Sequence, residues 1–141
     1  MKKDLEEGVK AMIDFKKLKE VYEKVIKNGN PVIPVIVQDV ITKQVLMPAF
    51  VNKKTLFESL KNKRAIFWST SRNELWDKGE KSGNALDLVE ILVNCEQNFL
   101  LFMVRPRNNC GACHIKDKNG NFRRSCFYRR VKNIDKLEFI V

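Results

Sequence analysis

PVIPVIVQDVITKQVLMPAFVNKKTLFESLKN, residues 31–62, passes from the alternation of strands to the period of a helix, and that change decides the fold class. PVIPVIVQD (31–39) is rich in β-branched residues and reads as a strand. TKQ (42–44) reads as a turn, and VLMPAFV (45–51) as the strand that returns beside the first. Pro48 has no N–H to give to a ladder, so a regular central position is disfavoured for it. Asn52 is an N-cap for a short helix over 52–62, with Leu56, Phe57 and Leu60 on one face.

Upstream, residues 14–28 place Leu18, Val21, Tyr22, Val25 and Ile26 at helical spacing, with Asp14 as N-cap and Gly29 as stop. Downstream, RAIFWSTS (64–71), ALDLVEILV (85–93), the apolar FLLFMVR (99–105), CFYRRV and KLEFIV read as strands, and KGEKSGN (78–84) as a loop. Two helices against six or seven strands with short connections predict an α+β domain built on a mainly antiparallel sheet. A helical extension over 1–30 precedes a single domain over 31–141.

Composition narrows the chemistry. A chain of 141 residues with 44% hydrophobic and 31% charged residues is the size of one ordinary domain. The opening MKKDLEEGVKAMIDFKK has no uninterrupted apolar region, and no run approaches the roughly 18 apolar residues of a membrane span. A cytoplasmic protein with no membrane partner is expected, in which four cysteines are free thiols, metal ligands or catalytic groups. The net charge of +10, from 27 Lys plus Arg against 17 Asp plus Glu, favours anionic partners such as nucleic acid or a phosphorylated small molecule, or is a solvated lysine-rich surface.

The cysteines are Cys95, Cys110, Cys113 and Cys126. CGACH (110–114) has the spacing by which haem is tethered in c-type cytochromes, but that attachment normally follows export. Zinc prefers thiolate and imidazole, so four cysteines make a closed structural site or three make an open catalytic one. Only Cys110 and Cys113 are close in sequence, which argues against a zinc ribbon and for a site gathered from separate strands. Asn94, Glu96 and Asn98 fall on one side of a regular strand and Cys95 on the other, or they form a polar strand-to-turn transition. Trp68–Asn84 concentrates hydroxyls, cations and glycines of the kind that hold phosphate or ribose.

IVQD (36–39), VLMPAFVN (45–52), FWSTSRNELWDKGEKSGN (67–84), NCEQN (94–98), ACH (112–114) and SCFYRR (125–130), in that order, resemble the phosphoribosyl-AMP cyclohydrolase family of histidine biosynthesis. The resemblance covers roughly residues 32–131. It implies a homodimer whose zinc is held by three cysteines drawn from both subunits, here Cys95, Cys113 and Cys126, with Cys110 outside the set. It implies hydrolytic opening of the adenine ring of phosphoribosyl-AMP between N1 and C6, with His114 handling the proton. The substrate pocket implied comprises Ser69, Ser71, Arg72, Trp76, Lys78, Glu80, Ser82 and Asn84. The family's magnesium site falls on Asn94, Glu96 and Asn98.

Three departures mark this chain. One carboxylate stands at 94–98 where the family has three, against magnesium's preference for carboxylate oxygen. Ile115 follows the histidine in place of threonine. KDKNGNF lengthens the loop between Cys113 and Cys126, with a turn expected at Asn119 and Gly120. Beside the cyclohydrolase stand two other readings: a paralogue hydrolysing another purine nucleotide, and a non-catalytic basic zinc module binding RNA.

Overall fold

In a computed structural model, which describes residues 2–140, three helices surround a four-stranded sheet and two hairpins. The elements are α1 (Lys2–Glu7), α2 (Lys17–Asn28), β1 (Ile33–Asp39), β2 (Val45–Val51), α3 (Lys53–Asn62), β3 (Ile66–Ser69), β4 (Glu74–Asp77), β5 (Leu86–Val93), β6 (Leu100–Pro106), β7 (Arg129–Asn133) and β8 (Lys136–Phe139).

The large sheet has the order β2-β1-β6-β5, with β1–β2 and β5–β6 antiparallel and β1–β6 parallel. The expected mainly antiparallel sheet is therefore mixed, and the two expected helices are three. The parallel pair joins strands separated by some sixty residues, and such pairing needs only a long crossover. No local pattern announces it. Pro48 lies on β2, an edge strand, where its missing N–H breaks no interior ladder.

Val35, Val37, Leu46, Leu86, Phe102 and Val104 form the buried face of the sheet. The β3–β4 hairpin closes on it through Phe67, whose ring stacks on Phe102 at 5.8 Å and meets Trp76 at 5.6 Å. β4 lies within the stretch read from sequence only as a polar patch. Arg64 fastens the hairpin with a fork of hydrogen bonds to Asp77, at 2.6 and 3.0 Å.

α3 starts on the expected cap: the Asn52 side chain accepts from the Thr55 N–H at 2.8 Å, and Thr55 Oγ1 accepts from the Asn52 N–H at 3.0 Å. Its buried face differs from the expected one. Thr55 and Ser59 face inward with Leu56 beside them, while Phe57 and Leu60 are exposed. Ser59 Oγ explains this, since it accepts from the Ile66 N–H and donates to the Ile66 carbonyl, both at 2.9 Å, splicing the helix onto β3.

α2 spans most of the expected helix and ends at Gly29, in the left-handed region at φ 65°. Asp14 sits two residues before its cap position, accepting from the Lys16 N–H. None of its residues is buried. The chain before it lies along the β7–β8 hairpin: Ala11 N–H donates to Asp135 O, Leu137 N–H to Val9 O, and the Arg129 guanidinium to Leu5 O and Gly8 O. No helix is long and apolar enough to cross a membrane among the described residues.

Candidate active site

The segment from Arg107 to Tyr128 has little regular secondary structure and is held by backbone contacts. Ala112 and Cys113 donate N–H to Arg124 O and Arg123 O at 3.1 and 3.0 Å, folding the segment on itself. That approach depends on Gly111: a Cβ there would lie 2.3 Å from the Phe122 carbonyl oxygen and 2.8 Å from that of Arg123. The outer strand of the fold is then zipped to β2, with Ser125 Oγ donating to Val45 O and the Cys126 N–H to Leu46 O, both at 2.7 Å. Arg124 adds an ion pair to the buried Asp39 and a hydrogen bond to Gln44 Oε1. The turn in the long loop is set by Asp117, whose carboxylate accepts from the Asn119 and Asn121 N–H groups. Only Gly120, not Asn119, takes a positive φ, so the expected turn forms one residue earlier, over Asp117–Gly120.

These contacts bring Cys113 and Cys126 together. The two side chains act on each other: Cys126 lowers the Cys113 thiol to about 6 against the opposing effect of burial, with help from the Ile115 N–H at 3.4 Å from its sulfur. Cys126 is pushed up by Cys113 and by burial. The pair thus releases its first proton more readily than an isolated buried thiol and its second less readily. Beside them lies Lys78, only 7% exposed, with its ammonium 6.0 Å from the Trp76 ring. Burial lowers its pKa, and Cys110, Cys126 and Cys113 act the other way. Gly79 explains its entry into the core: a Cβ there would lie 2.3 Å from the Ala85 nitrogen, so the turn after Lys78 presses directly on that backbone. Cys110 donates its thiol to the Ala85 carbonyl at 3.6 Å, and burial pushes its pKa up.

His114 follows Cys113 and is exposed. Cys95 is also exposed, at the tip joining β5 to β6. Cys113 belongs to the folded segment after β6, so the tip cysteine stands apart from the Cys113–Cys126 pair. Accordingly, no group of three or more His, Cys, Asp or Glu able to hold a metal occurs among the described residues. The residues 94–98 do not continue a strand; β5 ends at Val93 and the tip is a turn.

The hydroxyl-rich patch surrounds the β3–β4 hairpin. Ser69 Oγ accepts from the Arg72 backbone and guanidinium, both at 3.3 Å, and pairs with Ser71 Oγ. Arg72, Trp76, Glu80 and Ser82 line a cavity of about 350 Å³, and Ser82 Oγ accepts from the Asn84 N–H. Lys78 leaves this group and faces the thiols. A larger cavity, about 620 Å³, lies beside the folded segment and is lined by Lys118, Arg123, Arg124 and two phenylalanines, Phe122 and Phe139. Gly111, Arg123, Arg124 and Phe139 escaped sequence reasoning, whereas Lys118 and Phe122 belong to the lengthened loop KDKNGNF that it singled out. The glycine between two cysteines was the available signal.

The sequence model of phosphoribosyl-AMP cyclohydrolases matches residues 47–128, from β2 through the folded segment. A phosphoribosyl-AMP cyclohydrolase of Archaeoglobus fulgidus is 48% identical over 100 residues, covering 71% of this chain and 85% of its own. The chain belongs to the phosphoribosyl-AMP cyclohydrolase family. Enzymes of that name from Caulobacter vibrioides and Chlorobaculum tepidum are each 41% identical, over 75% and 85% of this chain and 72% and 82% of their own. As a member of this cyclohydrolase family the chain is a hydrolase, and the haem reading of CGACH is set aside. The matched span contains all four cysteines, Lys78 and His114, whereas α1, α2, β1, β7 and β8 lie outside it.

Proposed function

We propose that this cyclohydrolase opens the adenine ring of phosphoribosyl-AMP at a site where Cys113 and Cys126 of one subunit and Cys95 of a second copy would hold a zinc ion. The observation that carries this is the meeting of Cys113 and Cys126 beside the buried Lys78. The pair fits zinc by donor chemistry: both sulfurs are soft ligands, and their proximity lowers the Cys113 thiol. The distance of Cys95 from them supports a ligand set completed across a homodimer. Zinc, when bound, supplies Lewis acidity toward water near neutral pH.

The chain's own residues do the rest. Lys78 offsets the negative charge of the thiolates in a place where water is scarce. His114, adjacent to Cys113 and open to solvent, carries the proton between water and the departing ring nitrogen. Water's oxygen bonds to C6 and the C6–N1 bond breaks with its electron pair going to N1; one of water's protons ends on N1 and the other on the exocyclic nitrogen, so that C6 becomes a carboxamide. The substrate bears two phosphates, and the two cavities each offer cations, Arg72 and Lys81 at one, Lys118 and Arg123 at the other. Trp76, Glu80 and Ser82 complete the first, and Ser69, Ser71 and Asn84 are joined by hydrogen bonds to each other or to its lining residues Arg72 and Ser82.

The test is turnover of phosphoribosyl-AMP by zinc-loaded protein, with AMP as the control nucleotide. Ring opening of phosphoribosyl-AMP alone, abolished by chelation, is expected. Zinc content should fall in Cys95→Ser, Cys113→Ser and Cys126→Ser and persist in Cys110→Ser.

A further inference from the structure

The tip between β5 and β6 carries Asn94, Glu96 and Asn98 at the position of the family's magnesium site, and its hydrogen bonds do not suit that ion. Asn94 Oδ1 accepts from the backbone N–H groups of Asn98 and Phe99, both at 2.9 Å. Those two donors fix the amide's orientation, so Asn94 Nδ2 points the other way and donates to Asn98 Oδ1 at 2.7 Å. The backbone closes around the same residue, with Gln97 N–H donating to Asn94 O at 3.0 Å and Asn94 N–H to Phe99 O at 3.2 Å. Gln97 takes a positive φ of 59° to complete the turn.

Magnesium requires near-octahedral hard oxygen and is usually held through carboxylates. Here the oxygens of Asn94 and Asn98 are neutral and already accept hydrogen bonds, leaving Glu96 as the one carboxylate of the three. At least one of the two side chains must also be a donor. With an aspartate at 94 alone the Asn98 amide can turn to donate its Nδ2, whereas aspartates at both 94 and 98 would set two carboxylate oxygens against each other, a repulsion that a cation relieves and an amide pair avoids.

We infer that in this chain the Asn94–Asn98 amide pair closes the β5–β6 tip in place of a divalent cation, so that ring opening proceeds without magnesium. The second half of the statement rests on the proposed cyclohydrolase activity; the first does not. Asn94 is on this account a positioning residue, fixing the turn that presents Cys95.

The experiment uses full-length zinc-loaded protein in magnesium-depleted buffer. Magnesium chloride is titrated calorimetrically into the wild type, and turnover of phosphoribosyl-AMP is measured with and without millimolar magnesium. No saturable heat and a change in turnover below about twofold are expected. The double variant Asn94→Asp with Asn98→Asp should lose about tenfold in turnover without magnesium and recover when it is added, a response that loss of folding would not show. Saturable magnesium binding by the wild type, stimulation of its turnover by about tenfold, or full activity of the double variant without magnesium would each overturn the inference. If the wild type turns over in neither condition, the cyclohydrolase reading fails, and the calorimetric titration alone decides whether the tip replaces a cation.

Discussion

Gly111 lies so close to Phe122 that a Cβ would come within 2.3 Å of its carbonyl oxygen. The contact is between two backbones, with no flexible side chain to move aside, and it aligns the strip that brings Cys113 to Cys126. Gly111→Ala should therefore cost about 3 kcal/mol, at the upper end for overpacking, and the loss should appear in urea unfolding. Zinc uptake should fall with it. Unchanged stability and zinc content would mean that the strip tolerates separation.

Asp39 and Arg124 tie the same strip to the end of β1. Burial alone would raise the Asp39 pKa, but N–H groups of Ile41 and Thr42 and the Arg124 charge bring it below the ordinary carboxylate value. Asp39→Asn leaves the guanidinium without its anion and should cost about 2–3 kcal/mol in chemical denaturation. A loss below about half a kcal/mol would show that the hydrogen bonds of Arg124 to Gln44 and Asn109 suffice.

The thiol pair gives the metal-free protein a pH signature. Cys113 falls from the ordinary 9.0 to about 6 in the folded state, so between these values the unfolded chain binds one proton more than the folded one. Stability of chelator-treated protein should therefore rise with pH across that window, and be lost as pH falls through about 6. Above 9.0 the sign reverses, because Cys126 holds its proton in the folded state after the unfolded thiol has released it. Denaturation midpoints across this range should show the rise in wild type and not in Cys113→Ser. A flat profile in the wild type would contradict the thiolate–thiol pairing.

Much of this was legible from local chemistry. The Asn52 cap, the Gly29 stop and the strands 33–39, 45–51, 86–93 and 100–106 follow from signals within a few residues of each element. The parallel β1–β6 pairing was not, because it joins segments whose local patterns are the same in either orientation. The buried face of α3 was misjudged because Ser59 wins an inward place through its hydrogen bonds to Ile66, whereas hydrophobicity favours Leu60. Lys78 stands in the sequence among hydroxyls and cations suited to phosphate or ribose, and nothing local marks its turn toward the thiols. Only the close approach of Gly79 to Ala85 reveals that the loop folds inward. Of the two readings of residues 94–98, the polar strand-to-turn transition is the one that forms, with Asn94 holding the turn.

Subunit mixing tests whether the zinc site is shared. Cys95→Ser and Cys126→Ser should each be inactive alone. Random reassociation of the two makes half the dimers mixed, each with one intact site, so about a quarter of wild-type turnover should return. No recovery in a mixture shown to exchange subunits would place all ligands in one chain.

The most direct test of the central claim is the single-turnover rate of adenine ring opening in phosphoribosyl-AMP, followed by absorbance, for zinc-loaded wild type beside Cys113→Ser. The wild type should open the ring, and the variant should lose at least about a thousandfold of that rate together with its zinc. Ring opening by Cys113→Ser at the wild-type rate, or none by the zinc-loaded wild type, would contradict the account.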